Sequence, residues 1–214
     1  METIKKEDWS NIFNNIANLM IEHKDELTAI DAKFGDGDHG VTVEKIANVI
    51  KEKVEEWNNS NEPLKTLVGN IGFSVTNVNG GSAGPLYGTY FTGLGECLND
   101  EIEVDALLLK KMFSTALEEL QYITTAKVGD KTMMDTLIPV SNAIKDANDD
   151  ILDISTKAKD EALKGAEDSK NFVAKYGRAR NFKEEAIGTP DAGALSCTYI
   201  FIGMHNALSK QKTL

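Results

Sequence analysis

Apolar residues recur along this chain at helical spacing, and polar or glycine-containing stretches cut the rhythm into segments. The first segment, 8–29, places Trp9, Ile12, Phe13, Ile16, Met20 and Leu27 on one face, with Asp8 expected as its N-cap. A second carries Ile46, Val49, Ile50, Val54 and Trp57 and stops in the polar run Asn58-Asn59-Ser60-Asn61. Pro63 opens a third through Leu64, Leu67, Val68 and Ile71. Pro85 suits the first turn of a fourth, which continues through Phe91 and Leu94 towards Asn99 and Asp100, with Gly93 and Gly95 weakening it. Leu108, Met112, Ala116, Leu120 and Ile123 mark a fifth over 104–125, and a sixth follows over 132–148. The seventh, 153–175, sets Ala158, Ala162, Leu163, Ala166 and Phe172 among alternating charges, and the eighth is 194–208. No two-residue alternation or hairpin signal interrupts these, so the expected fold is all-α, a bundle of eight helices with short connections favouring antiparallel neighbours.

Composition narrows the function more than the fold. At 214 residues, with 41% hydrophobic and 7% aromatic residues, the chain can bury a core as one domain, 1–214, without staples. A net charge of −11 and the lack of a basic stripe argue against nucleic acid as a partner. Nucleotide binding stays open where metal supplies the positive charge. Cys97 and Cys197 stand far apart in helical segments, away from any His-Cys ligand cluster, and read as thiols rather than as a disulfide or zinc site. No apolar run approaches the ~18 residues of a membrane span, and the expected location is cytoplasmic.

The candidate chemistry lies in the glycine-containing joints at 31–40, 79–88, 127–135 and 177–193, which a bundle brings together when alternate junctions converge at one end. In the first, Asp31, Asp36, Asp38 and His39 are separated by glycines that let the backbone curl. Hard divalent cations take such oxygen ligands, with phosphate and water completing the shell, while the plainer reading is an Asp/Gly turn with a helix-capping His. The pattern Gly35-x-Gly37-x-x-Gly40 matches the dinucleotide fingerprint only formally, since a helix rather than a strand precedes it. A calcium loop starting at Asp36 or Asp31 would need Glu at its twelfth position, where Ala47 or Thr42 stands. His23 and His205 read as helix-face residues.

The second joint, Asn79 through Pro85, leads small residues into a helix start, which suits either an anion or close helix packing. The third, Gly129-Asp130-Lys131-Thr132-Met133-Met134-Asp135, lacks the glycine directly before lysine that a P-loop requires; Thr132 can cap the sixth helix, and the methionines can wall a purine or pack in the core. In the fourth, Arg178 and Arg180 suit a phosphate or a surface ion pair.

Taken together, GDGDHG at 35–40, GGSAGPLYGT at 80–89, GDKTMMD at 129–135, GRA at 177–179 and IGTPDAGA at 187–194 resemble dihydroxyacetone kinase subunit L, in order and over nearly the whole chain. The resemblance implies an eight-helix, up-and-down antiparallel barrel with ADP or ATP held at one end by two Mg²⁺ ions. Asp31, Asp36 and Asp38 would bind the metals. His39, Gly40, Val41 and Thr42 would lie by the nucleotide, Ser82 and Ala83 would meet phosphate, and Met133 would border the base. Arg178 with Asp191, Ala192 and Gly193 would close the pocket, and the catalytic roles would fall to Arg178 and His39. In one departure, Thr124 stands where the family often has glycine, at a position expected to meet ribose or base.

The implied activity is that of a phosphotransferase with an alcohol acceptor. ADP would be retained as a coenzyme, recharged by a phosphocarrier of the sugar phosphotransferase system and discharged onto dihydroxyacetone held by a partner kinase subunit. A homodimer is allowed for. The same resemblance admits an ATP-dependent kinase component for a related small ketose, and, in a different class, a nucleotide-bound regulatory partner of a transcription factor.

Overall fold

The computed structural model describes residues 2–210. Most residues of the predicted apolar stripes are buried in one continuous core and carried on helices, whereas Ile123 and Leu163 are about half exposed and Phe172 lies beyond its helix. In chain order these are α1 (Lys6–Glu22), α2 (Lys24–Asp31), α3 (His39–Asn58), α4 (Leu64–Thr76), α5 (Ala83–Gly95), α6 (Ala106–Ile123), α7 (Met134–Asp146), α8 (Ile151–Asp168) and α9 (Ala192–Lys210). Counting α1 and α2 as one bent helix, each element packs on its sequence neighbours and α9 returns against α1, so the ring closes into an up-and-down barrel. Its centre holds aromatic rings, with Phe91 of α5 packed on Phe13 of α1 (6.4 Å between centroids) and on Tyr87 of its own helix (6.3 Å). No described helix is long and apolar enough to cross a membrane.

Four local expectations are corrected. The helix expected over 8–29 breaks at His23, whose backbone leaves the helical region (φ −100°, ψ 8°) while its ring stacks on Tyr199 of α9 at 4.8 Å. No breaker residue marks the place, because the bend follows a tertiary contact. Asp8 is not the N-cap: the helix starts earlier, at Lys6, and Asp8 Oδ2 accepts the Lys5 N–H (2.8 Å) as the third residue of a capping box. A two-strand ribbon, β1 (Thr3–Ile4) antiparallel to β2 (Val104–Asp105), escapes a pattern search because two residues show no alternation. The helix expected over 153–175 ends at Asp168 in a 3-10 turn, and the chain from there to α9 is an irregular arm.

α4 and α5 approach most closely. A Cβ on Gly88 would lie 2.7 Å from the Gly72 carbonyl oxygen, so this contact admits only glycine. The small residues of the second joint are therefore divided between two tasks. Gly84 and Gly88 serve packing, while Gly80 to Ser82 form a loop at the barrel's end.

Candidate functional site

α3, α5, α7 and α9 all begin at the same end of the barrel, because sequential neighbours alternate in direction. All four glycine-containing joints meet there around a cavity of about 860 Å³, a volume suited to a small cofactor. Helix starts expose unpaired N–H groups and the positive end of the dipole, so this end favours anions.

Three of these starts are already met by carboxylates. Asp31 Oδ2 accepts the N–H groups of Asp38 (3.1 Å) and His39 (3.4 Å) at the head of α3. Asp135 Oδ1 accepts from Gly129 N–H and its Oδ2 from Thr132 N–H, both at 2.6 Å, which organises the turn before α7. Asp191 Oδ1 accepts from Ala194 N–H (2.7 Å) in the first turn of α9. α5 starts with no acidic residue in its first turn, and the Ser82 side chain does not cap it. The open anion position of the cavity is therefore the 80–83 loop, lined by Gly80, Gly81, Ser82 and Ala83.

Beside it stands the acidic joint. Asp31, Asp36 and Asp38 each offer an oxygen, and these oxygens lie within 4.8 Å of one another, Asp31 half-buried and the others exposed. Gly37 turns the loop through a left-handed conformation (φ 73°). This all-oxygen, multiply anionic donor set fits a hard divalent cation. Arg178 Nη2 sits 2.7 Å from Asp36 Oδ2, so a guanidinium supplies part of the positive charge the cluster calls for.

His39 lines the cavity and is half-buried. Nε2 lies 2.8 Å from Ser196 Oγ, which in turn lies 2.7 Å from the Tyr87 hydroxyl. Burial lowers the pKa of the imidazole, against the opposing pull of Asp31 and Asp38. Burial also raises Tyr87 well above its ordinary value, keeping the hydroxyl protonated as a donor or acceptor at the cavity floor. Tyr87 lay inside the motif at 80–89 and Ser196 in the last apolar helix; nothing in the chain's periodicity distinguishes either from a core residue.

The opposite wall is apolar and hydroxyl-rich. Met133, Ile123, Thr124, Thr125 and Tyr176 line it, and Tyr176 is within 3.1 Å of Thr125 Oγ1. Thr124 Oγ1 accepts from Ala126 N–H (3.2 Å), shaping the turn after α6. Thr132 is not the N-cap of α7, a position held by Met133, but its Oγ1 accepts the Met134 N–H (3.2 Å). Beneath this wall Lys131 is 4% exposed and Asp135 1% exposed. Burial raises the Asp135 carboxyl, and it pushes the enclosed carboxyl of Asp191 up to about 7. Burial also lowers Lys131, with Asp191 and Asp135 opposing.

Of the residues singled out from sequence, Asp31, Asp36, Asp38, His39, Ser82, Ala83, Thr124, Met133, Arg178, Asp191, Ala192 and Gly193 line this one cavity. Gly40, Val41 and Thr42 do not. Gly40 lies against the Lys24 carbonyl, Val41 is 47% exposed, and Thr42 is buried beneath Gly80, filling the space a Cβ there would need. Thr42 therefore reaches the site only through the loop it supports.

Fold and site define a helical barrel domain whose one end combines hard oxygen ligands, a permanent cation and an uncapped helix start. Residues 33–206 match the model of the DAK2 domain, and the chain belongs to that family. It is 30% identical to the PEP-dependent dihydroxyacetone kinase 2, ADP-binding subunit DhaL of Listeria innocua, over 88% of each chain. It is also 30% identical to an L-erythrulose kinase of Pectobacterium atrosepticum over 94% of its own length, but it spans only 34% of that protein. Among solved structures it resembles the dihydroxyacetone kinase of C. freundii in complex with AMP-PNP and Mg²⁺. There the TM-score is 0.68 at 27% identity, covering 92% of this chain and 33% of that one.

Proposed function

We propose that this chain is the nucleotide-bearing catalytic subunit of a dihydroxyacetone kinase. In this reading ADP is retained with two Mg²⁺ ions as a coenzyme, recharged by a phosphocarrier subunit and discharged onto dihydroxyacetone held by a partner subunit. The observation that carries it is the juxtaposition of the acidic trio with the uncapped start of α5, at the mouth of a cavity with an apolar far wall. Asp31, Asp36 and Asp38 hold the metal, Gly80 to Ala83 receive phosphate oxygens, and Met133 with Thr124 borders base and ribose. The similarity to an ADP-binding subunit over most of both chains supports the choice of nucleotide.

Divalent metal in this place neutralises phosphate charge and orients the transferring group. The protein's own residues do the rest by position, since phosphoryl transfer needs placement and charge more than covalent chemistry. With a cation on the trio, Asp36 no longer needs the Arg178 guanidinium, whose planar fork is then available to phosphate oxygens. His39, kept neutral by enclosure and tied to Ser196, holds the start of α3 against α9 and so keeps the trio facing the nucleotide. The buried Tyr87 and Ser196 exclude water from that side.

A second reading, an ATP-dependent kinase component for a four-carbon ketose, is favoured by the equal identity to an L-erythrulose kinase. Native mass spectrometry of the purified chain before and after dialysis separates the two. ADP that survives dialysis supports the coenzyme role, and freely exchanged nucleotide supports ATP use. Asp36→Ala is expected to abolish retention with helicity unchanged; undiminished retention in that variant would sink both.

A further inference from the structure

The joint at 129–135 also anchors the arm between α8 and α9. Lys131 Nζ donates to the carbonyl oxygens of Ser169 (2.7 Å) and Thr189 (2.6 Å), which sit at the arm's two roots. The roots are further closed by Gly188 N–H donating to the Lys170 carbonyl (2.8 Å) and Asp191 N–H donating to Ser169 Oγ (2.9 Å). Next door, Asp130 takes the Lys175 ammonium (2.6 Å) on its carboxylate and the Lys175 N–H (3.1 Å) on its carbonyl.

Beyond the roots the arm crosses the cavity mouth with mostly exposed residues. It rests on the Tyr176–Thr125 contact, the Arg178–Asp36 ion pair and the edge of Phe182 on Phe34 at 5.3 Å. Exposed ion pairs and single ring contacts are individually weak, so the arm's position is decided at its roots. Lys131 is built into that place. Its backbone holds a left-handed conformation (φ 59°), uncommon for a residue with a side chain, and its ammonium is buried close to Asp135 and Asp191. A buried ammonium that bridges two backbone carbonyls from different ends of one loop is a clamp.

We propose that Lys131 is a positioning residue: by clamping both roots of the 169–191 arm it fixes Arg178 over the acidic trio and thereby sets how long nucleotide stays bound. The clamp stands on geometry alone, and only its effect on retention rests on the nucleotide reading above. Lys131 acts through Arg178 and through the arm, not on the transferring phosphoryl group.

The test uses the full chain and Lys131→Met, which keeps the length of the side chain and removes its donors. Without nucleotide, trypsin should cut after Arg178, Arg180 and Lys183 at least tenfold faster than in the unaltered protein. Release of a fluorescent ADP analogue loaded with Mg²⁺ should also quicken tenfold or more. Arg178→Ala should quicken release to a similar degree, and the double variant should release no faster than the faster single one, because both changes remove the same Arg178 contact. Cutting and release at the original rates in a folded Lys131→Met protein overturn the proposal, as do effects that multiply in the double variant. Faster cutting in a protein that never binds the analogue, even unaltered, leaves the clamp standing and fells the nucleotide reading instead. If Lys131→Met does not fold, Lys131→Gln decides: its shorter side chain cannot reach both carbonyls, so release should quicken at least threefold, and an unchanged rate overturns the clamp.

Discussion

Two sets of aspartates sit at the same end of this barrel and perform opposite tasks. Asp31, Asp36 and Asp38 are half-buried or exposed and face a cavity with oxygens close together. Asp31 also accepts backbone N–H groups through Oδ2, but Asp135 turns both of its oxygens, and Asp191 one, onto backbone N–H groups. Both sets lie in glycine-containing joints beside a helix start, and both profit from its dipole. The first has repulsion left over for a cation to relieve. The second commits its oxygens chiefly to the turns that shape the cavity.

The contrast is broken most sharply by moving the alanine substitution from one set to the other. Asp135→Ala takes the acceptor from two half-buried N–H groups, those of Gly129 and Thr132, and each such loss costs about 1–3 kcal/mol. A destabilisation of about 4 kcal/mol in urea denaturation is expected; a change below about 1 kcal/mol would show that water replaces the carboxylate and that the two sets are alike. Asp36→Ala should reverse the pattern. Its ion pair with Arg178 is exposed, so stability should shift by no more than about 0.5 kcal/mol. Affinity for Mg-nucleotide in isothermal titration should meanwhile fall a hundredfold or more, about 2.7 kcal/mol.

A pH series sharpens the comparison further. Enclosure holds the Asp191 carboxyl at about 7 in the folded protein, above its ordinary value. Between roughly pH 4 and 7 the folded state keeps a proton that the unfolded chain releases, so this group's contribution falls as pH rises, by about 1.4 kcal/mol per unit, and is fully lost above 7. Asp191→Asn, which cannot ionise, should remove that slope when unfolding free energies are compared at pH 5, 6 and 7. A constant difference between the two proteins across the series would place the Asp191 carboxyl with the exposed set. The smallest effect is expected at the tip of the arm. Phe182→Ala loses one edge-to-face contact with Phe34, about 1 kcal/mol at most, and should show as faster hydrogen exchange confined to the arm rather than as a lower melting temperature.

Much of the fold was written in the chain. Apolar spacing alone marked the helices, because a face that must leave water has to repeat with the period of the backbone that carries it. The same spacing is silent on the break at His23 and on the Thr3–Ile4 ribbon, which arise from a ring stacked on a distant helix and from a pairing too short to show alternation. At the site, residue type and glycine punctuation were enough to pick out four joints. Whether those joints met depended on helices that alternate in direction around a closed ring. That closure put an uncapped helix start beside three carboxylates and left Thr42 under a glycine rather than in the cavity. Which aspartates face a ligand and which face the backbone was likewise decided only by the tertiary structure. A carboxylate's task depends on the donors within hydrogen-bonding reach, and here some of those donors, such as the Gly129 N–H that Asp135 accepts, lie on the far side of a turn.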